Sequence, residues 1–435
     1  MKVYTKEFFI PKKSLNLNGL DSIENYYNLK IKPSFPLDFP IRFIISKTDE
    51  KGYYCEIDFI SVEKKEERCF LNSQNTIFNH RVRSFEKSDK FTAVLMIPTG
   101  IGAELGGHCG DGNVAARLIA SACDTLIVHP NVVNASDINE MTENTLYVEG
   151  SILTRFMMGT IGLQRVRFNK ILMLMDKNED RYFNDEIINA VSSARVTLGI
   201  DCDVLQIDNA TDSKSHYSSS GRTSGEIKNI DQLFKLIEKH KNNYDALGLS
   251  TIIKVPESFN KEYFKSEKIG VNPWGGTEAM LTHSVAENFR MPSAHSPMSY
   301  DMKEFHIDMD LGIVDPRKAP ETASVTYLHC ILKGLHKSPR IVDFDKGLNV
   351  ESVSCLIIPD GCVGLPILAC LDHGIPVIAV KNKNIMQNKL LSLPFGSNKL
   401  FIVDNYLEAV GIMNALKSGV NPESLMRPIK ETKLL

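Results

Sequence analysis

Short, uninterrupted apolar runs alternate with longer amphipathic stretches along most of this chain. Residues 92–97, 125–128, 171–175 and 355–358 are apolar at nearly every position, and 204–207 carries a single polar interruption. Such runs mark strands buried on both faces. Helical periodicity runs through 113–123, 185–198, 230–240, 277–289, 323–335 and 406–417, with a shorter helix near 365–371. Further strands are expected at 246–255, 376–380 and 401–403. Strands alternating with helices of about 10–15 residues predict βαβ units. The fold expected is therefore α/β, a mainly parallel sheet with flanking helices of Rossmann-like type.

The first 89 residues follow a different pattern. Residues 40–46 and 52–60 are β-rich, and the polar segment 47–52 between them supplies the turn of an antiparallel hairpin. The charge run 63–68 and the polar stretch 85–90 read as solvated faces. This divides the chain into a small β-rich N-terminal module (1–89), an α/β domain with a glycine loop (90–270) and a second α/β half (271–435). The last two can form one continuous domain. Only 213–225 is low in complexity, and within it residues 218–226 read as a flexible loop or as a lid carrying Arg222.

Composition narrows the function classes. Hydrophobic residues make up 43% of the 435 and charged residues 24%, enough for an ordinary core without staples. Fifty Lys and Arg against 53 Asp and Glu give a net charge of −3, without the basic surplus a nucleic-acid partner calls for. No run is long and apolar enough for a membrane span, and the N-terminus lacks the apolar core of a secretory signal. The nine cysteines contain no CxxC pair, which fits reduced thiols in a cytoplasmic protein. Oligomeric state is left open by the sequence, a homo-oligomer included.

In open parallel sheets, ligands bind beyond the carboxyl ends of the strands. The loop 98–113 there holds six glycines, and Thr99, Gly100, Gly102, Gly106, Gly107 and Asp111 are candidate ligand contacts. Their backbone N–H groups and the following helix N-terminus suit an anion, while tight turns alone are the plainer reading. Neither the dinucleotide fingerprint nor the phosphate-loop motif fits this spacing. The next strand runs into His129, with Asn131 and Asn134 close behind, and Glu149 follows a further strand. Gly275, Gly276 and Glu278 open a helix, and His295 lies between Pro292 and Pro297. Asp360 and Gly361 follow another buried strand, with Cys362 a thiol that is either nucleophilic or inert. The expected chemistry is proton exchange by His129 and His295, oriented by Glu149 or Glu278. No cofactor is clearly indicated. A divalent metal on His129 and His295 is the remaining option, although no HExxH-type pair supports it.

Taken together, Ile97–Ala103 through Gly110–Asp111, Cys123–Asn134, Leu146–Gly150, Gly275–Ala279 and Ala294–Pro297 resemble the family labelled domain of unknown function 3326. The resemblance spans about 90–430 and implies no established reaction. It also implies that His108 and Cys109 are local additions rather than shared chemistry. Residues 361–380 resemble, more remotely, the sugar-nucleotide-binding half of two-domain glycosyltransferases. The function expected is an enzyme acting on a small anionic metabolite, a carboxylate or phosphate, by His/Glu acid–base chemistry. The alternatives are a metal-dependent lyase or hydrolase, a metabolite-binding regulator without catalysis, and a nucleotide-sugar-dependent transferase.

Overall fold

A computed structural model describes residues 1–62, 71, 76–87, 89–208, 211–265, 270–304, 311–322, 327–429, 431–432 and 434. The charge run at 63–68 and residues 323–326 of the helix expected at 323–335 lie outside the described residues.

The continuous apolar runs become two all-parallel sheets. One has six strands in the order Leu400–Val403, Val377–Val380, Val353–Pro359, Thr92–Leu95, Thr125–Val128, Thr145–Tyr147. The other has four, in the order Ser293–His295, Ala246–Ser250, Lys170–Asp176, Asp201–Ile207. Thr92–Leu95, Thr125–Val128 and Val377–Val380 are buried at every position, as strands covered on both faces must be. In the six-stranded sheet the chain leaves Thr92–Leu95 toward one edge, and later returns through Val353–Pro359 toward the other. The crevice between those two strand ends is the topological switch point, where α/β proteins bind ligands.

A third, largely antiparallel sheet joins the two. Its order is Ile253–Lys254, Asp212–Tyr217, Thr223–Lys228, Lys2–Pro11, Gly52–Ser61, Asp38–Thr48, Val363–Gly364. The expected hairpin is there, and Lys2–Pro11 pairs along its whole length with Gly52–Ser61. The sheet is not confined to the first 89 residues. Its edge strands Ile253–Lys254 and Val363–Gly364 follow directly from a strand of each parallel sheet, so the three sheets are tied through the backbone.

The segment 218–226 is the turn and second strand of a hairpin rather than a loose loop. Arg222 is buried and its guanidinium pairs with Glu56, with Nε donating to Oε2 at 2.8 Å. Hydroxyls of Ser218 and Ser220 complete the Glu56 shell. A second buried pair, Arg42 with Asp58, lies beside it. Removing one partner of such a pair leaves an uncompensated buried charge. Arg222→Met should therefore lower unfolding stability in urea by about 3–5 kcal/mol, and adding Glu56→Leu should recover part of that loss. A single-variant cost no larger than that of a surface ion pair would contradict this account.

Candidate active site

The carboxyl ends of the two parallel sheets face a common cleft with a free volume of about 180 Å³. Thr99, His129, Asn131, Asn134 and Glu149 reach it from the six-stranded sheet. Gly275, Glu278, Thr282, His283 and His295 reach it from the helix Gly275–Phe289 and the strand Ser293–His295. All four candidate proton-transfer residues thus line one chamber.

His129 ends a buried strand, and its Nε2 accepts a hydrogen bond from the Ile97 amide at 3.1 Å. That nitrogen must be unprotonated, so the neutral ring carries its proton on Nδ1. Burial holds its pKa down to about 4, which keeps the ring neutral near neutral pH. His129 is therefore built as a hydrogen-bond donor rather than a base.

His283, hidden to sequence reading in mid-helix, has the opposite polarity. Its Nδ1 lies 2.6 Å from the Ala279 carbonyl, which can only accept, so Nδ1 holds the proton and Nε2 keeps a lone pair. Burial, then the nearby Arg42 charge, pushes its pKa well below the usual value.

His295 has neither ring nitrogen free. Nδ1 lies 3.1 Å from Glu278 Oε1, and Nε2 lies 2.9 Å from the Thr251 hydroxyl. With Glu278 ionised, Nδ1–H donates to the carboxylate and Nε2 accepts from Thr251. The ring is buried while the Glu278 side chain is 25% exposed, so Glu278 meets the cleft and His295 positions it.

Glu149 caps the helix Gly150–Met157, its Oε2 accepting from the amides of Ser151 and Ile152 and from the Ser151 hydroxyl. Oε1 accepts from Thr282 at 3.1 Å and approaches His283 Nδ1 at 3.5 Å. Burial raises this carboxyl to about 7 despite those donors. Glu321, also unforeseen, accepts from the Cys109 amide and the Tyr263 hydroxyl, both at 2.7 Å. Burial raises it to about 7 as well. His108 Nδ1 lies 2.8 Å from the same hydroxyl, so His108, Tyr263 and Glu321 form one buried series ending at the cleft.

The glycine loop is turned on itself. Gly100, Gly102, Gly106 and Gly107 do not line the cleft. A Cβ on Gly107 would lie 2.1 Å from the Ala103 carbonyl oxygen, and one on Gly106 2.4 Å from Ile97 Cδ1. The Asp111 carboxylate accepts from the amides of Gly106 and His108, folding the loop internally. Asn131 Nδ2 donates to the carbonyls of Ile97 and Gly106, and Asn134 Oδ1 accepts from Tyr147. Gly276, Asp360 and Gly361 also lie off the cleft lining. Of the two expected anion sites, the helix start at Gly275 is filled by the chain, where Asn272 Oδ1 accepts from the amides of Trp274 and Gly275.

No Lys or Arg lines the cleft among the described residues, whereas Glu149, Glu278, Glu304 and Glu321 do. Cys109 lines it as a thiol that burial pushes well above its usual pKa. Among the described residues, the group of His, Asp and Glu whose ligand atoms converge is Asp21, Glu24 and His80, and none of these lines the cleft. His295 offers a metal no free nitrogen, and the free nitrogen of His129 bears a proton. The missed His283 had one legible signal: it stands in a helix where Glu278, Thr282 and Glu287 recur at spacings of four and five.

The model of a family described as "Protein of unknown function (DUF3326)" matches residues 92–426. A protein of Synechococcus sp. named as an uncharacterized lipoprotein is 32% identical over 346 residues, covering 77% of this chain and 93% of the relative. No solved structure matches.

Titration of Glu149 gives a direct check on the site. The folded carboxyl keeps its proton up to about 7, against an ordinary value of 4.5. Across that window the folded state binds the extra proton, so the contribution present at low pH is lost as pH rises through about 7. Glu149→Gln does not titrate. Its melting temperature relative to wild type should climb between about pH 5 and about pH 8. A difference that stays constant over this range would rule out a buried, protonated Glu149.

Proposed function

The chain belongs to the DUF3326 family, and we propose that it is an enzyme carrying out acid–base chemistry on a small metabolite with an amino group at its reacting end. The observation that carries this reading is the series Thr251–His295–Glu278, which aims a positioned carboxylate into the same cleft as His129 and His283. Glu278 takes a proton from the substrate, whose bonding electron pair stays behind as the developing negative charge, and His295 orients the Glu278 carboxylate. His283 Nε2 is a second acceptor. His129 Nδ1–H supports negative charge as it develops on substrate, as a neutral imidazole donor can.

The amine follows from the lining. Among the described residues the lining holds four glutamates and no cation, so it attracts a positive group, more strongly once Glu149 and Glu321 lose their protons, and a free carboxylate or phosphate gains no ion pair there. Glu149 and Glu321 release their protons near 7, so amine affinity should rise as pH rises through that value. The eight described cysteines form no disulfide, which supports a reducing, cytoplasmic setting in this reading. Among the described residues no helix is long and apolar enough to cross a membrane.

A thermal-shift panel of amines, amino alcohols, carboxylates and phosphates tests the reading. A ligand at 100 times its Kd stabilises by about 2.7 kcal/mol. Amines should give the shift, more strongly at about pH 8 than at about pH 6, and Glu278→Gln should slow conversion of the bound amine about 10²–10⁴-fold. Stabilisation by carboxylates or phosphates alone would overturn the amine. A bound amine left unchanged by the wild-type protein would overturn catalysis in favour of a metabolite-binding role.

A further inference from the structure

A second chamber, with a free volume of about 130 Å³, opens behind the cleft. Thr99, His129, Gly150, Ala279 and His283 line both chambers. The second lies at the switch point of the six-stranded sheet, between Met96 and Pro98 after one strand and Ile358 and Cys362 at the end of its neighbour. Phe43, Ile44, Leu365 and Met386 help to close it with apolar side chains. Three arginines reach its wall, and each is matched by a buried acid: Arg42 by Asp58, Arg222 by Glu56, Arg155 by Glu287. Among the described residues the wall therefore holds no arginine without an acid beside it, and most of what else it offers is apolar surface.

We propose that the two chambers form one bipartite site and that the substrate is amphipathic. Its amino end lies among the glutamates of the cleft, and an aliphatic chain passes His129 and His283 into the apolar chamber. This rests on the acid–base reading of the cleft and specifies the substrate class for it. Water is excluded from the neutral histidine pair when the tail fills the space behind it, so the burial that fixes both ring tautomers is completed by the ligand.

Two homologous probe series test this, n-alkylamines and n-alkanols from two to ten carbons, titrated calorimetrically into the full chain. Each methylene buried should tighten binding about fourfold until the chamber is full. Thr154 lines the chamber, and its hydroxyl donates only to the carbonyl of Gly150 in its own helix. Thr154→Phe should abolish the dependence on chain length while leaving ethylamine binding unchanged, and Thr154→Val should keep the dependence. Ethylamine binding without any length dependence in wild type would overturn the bipartite site while sparing the acid–base reading. Length-dependent binding of alkanols with no binding of any amine would remove the amine reading and the amphipathic substrate with it, leaving only an apolar pocket. Retained length dependence in a folded Thr154→Phe protein would place the tail elsewhere and overturn the proposal.

Discussion

The helix Gly275–Phe289 can reach the cleft only because two backbones touch. A Cβ on Gly276 would sit 2.1 Å from the Thr223 carbonyl oxygen, and one on Gly225 would sit 2.3 Å from Thr277 Oγ1. No side chain fits in either space, so the start of the helix lies directly on the hairpin Asp212–Lys228. Thr277 then donates to the Ser224 carbonyl, and Ser215 to that of Pro273. This seat fixes the axis along which Glu278, Thr282, His283 and Glu287 are presented. The same hairpin holds Arg222 against Glu56, so the antiparallel sheet acts as the frame on which one wall of the cleft is mounted.

Burial sets the chemical state of nearly every group in that cleft. The desolvation that raises Glu149 and Glu321 to about 7 also keeps His129 neutral. The arginines nearest the site are each matched by an acid in the surrounding wall, which leaves the chamber itself acidic. A polar site enclosed this far keeps its hydrogen-bond geometry without water to loosen it. The cost is several ionisable groups held away from solvent, which the parallel sheets must offset through their apolar cores.

The fold was legible wherever burial on both faces left an unbroken apolar run, as in 92–97, 125–128 and 355–358. Lys2–Pro11 escaped notice because charged residues at positions 2, 6 and 7 mask its pairing on both sides. Asp212–Lys228 was hidden because its small polar residues read as a loop. They are small because a helix packs on them at backbone distance. Glu278 and His295 were visible as residues, but their pairing was not, because it takes the fold to bring Glu278 and Thr251 onto the two ring nitrogens of His295. The glycine loop misled for a physical reason, since the glycines that let a backbone approach a phosphate equally let it approach itself.

What distinguishes the site is the opposed polarity of two histidines whose pKa values burial holds below the usual one. A titrating histidine would shuttle protons and lose its directional hydrogen bond with each turn. The Ile97 amide and the Ala279 carbonyl prevent that by dictating opposite tautomers, so His129 presents a proton and His283 a lone pair. In the proposed reading, a substrate group that both accepts and donates is oriented between them before any proton moves. The proton transfer in that reading falls to Glu278, which has His295 behind it and a quarter of its side chain exposed. The backbone thus fixes which ring atom of each histidine carries its proton.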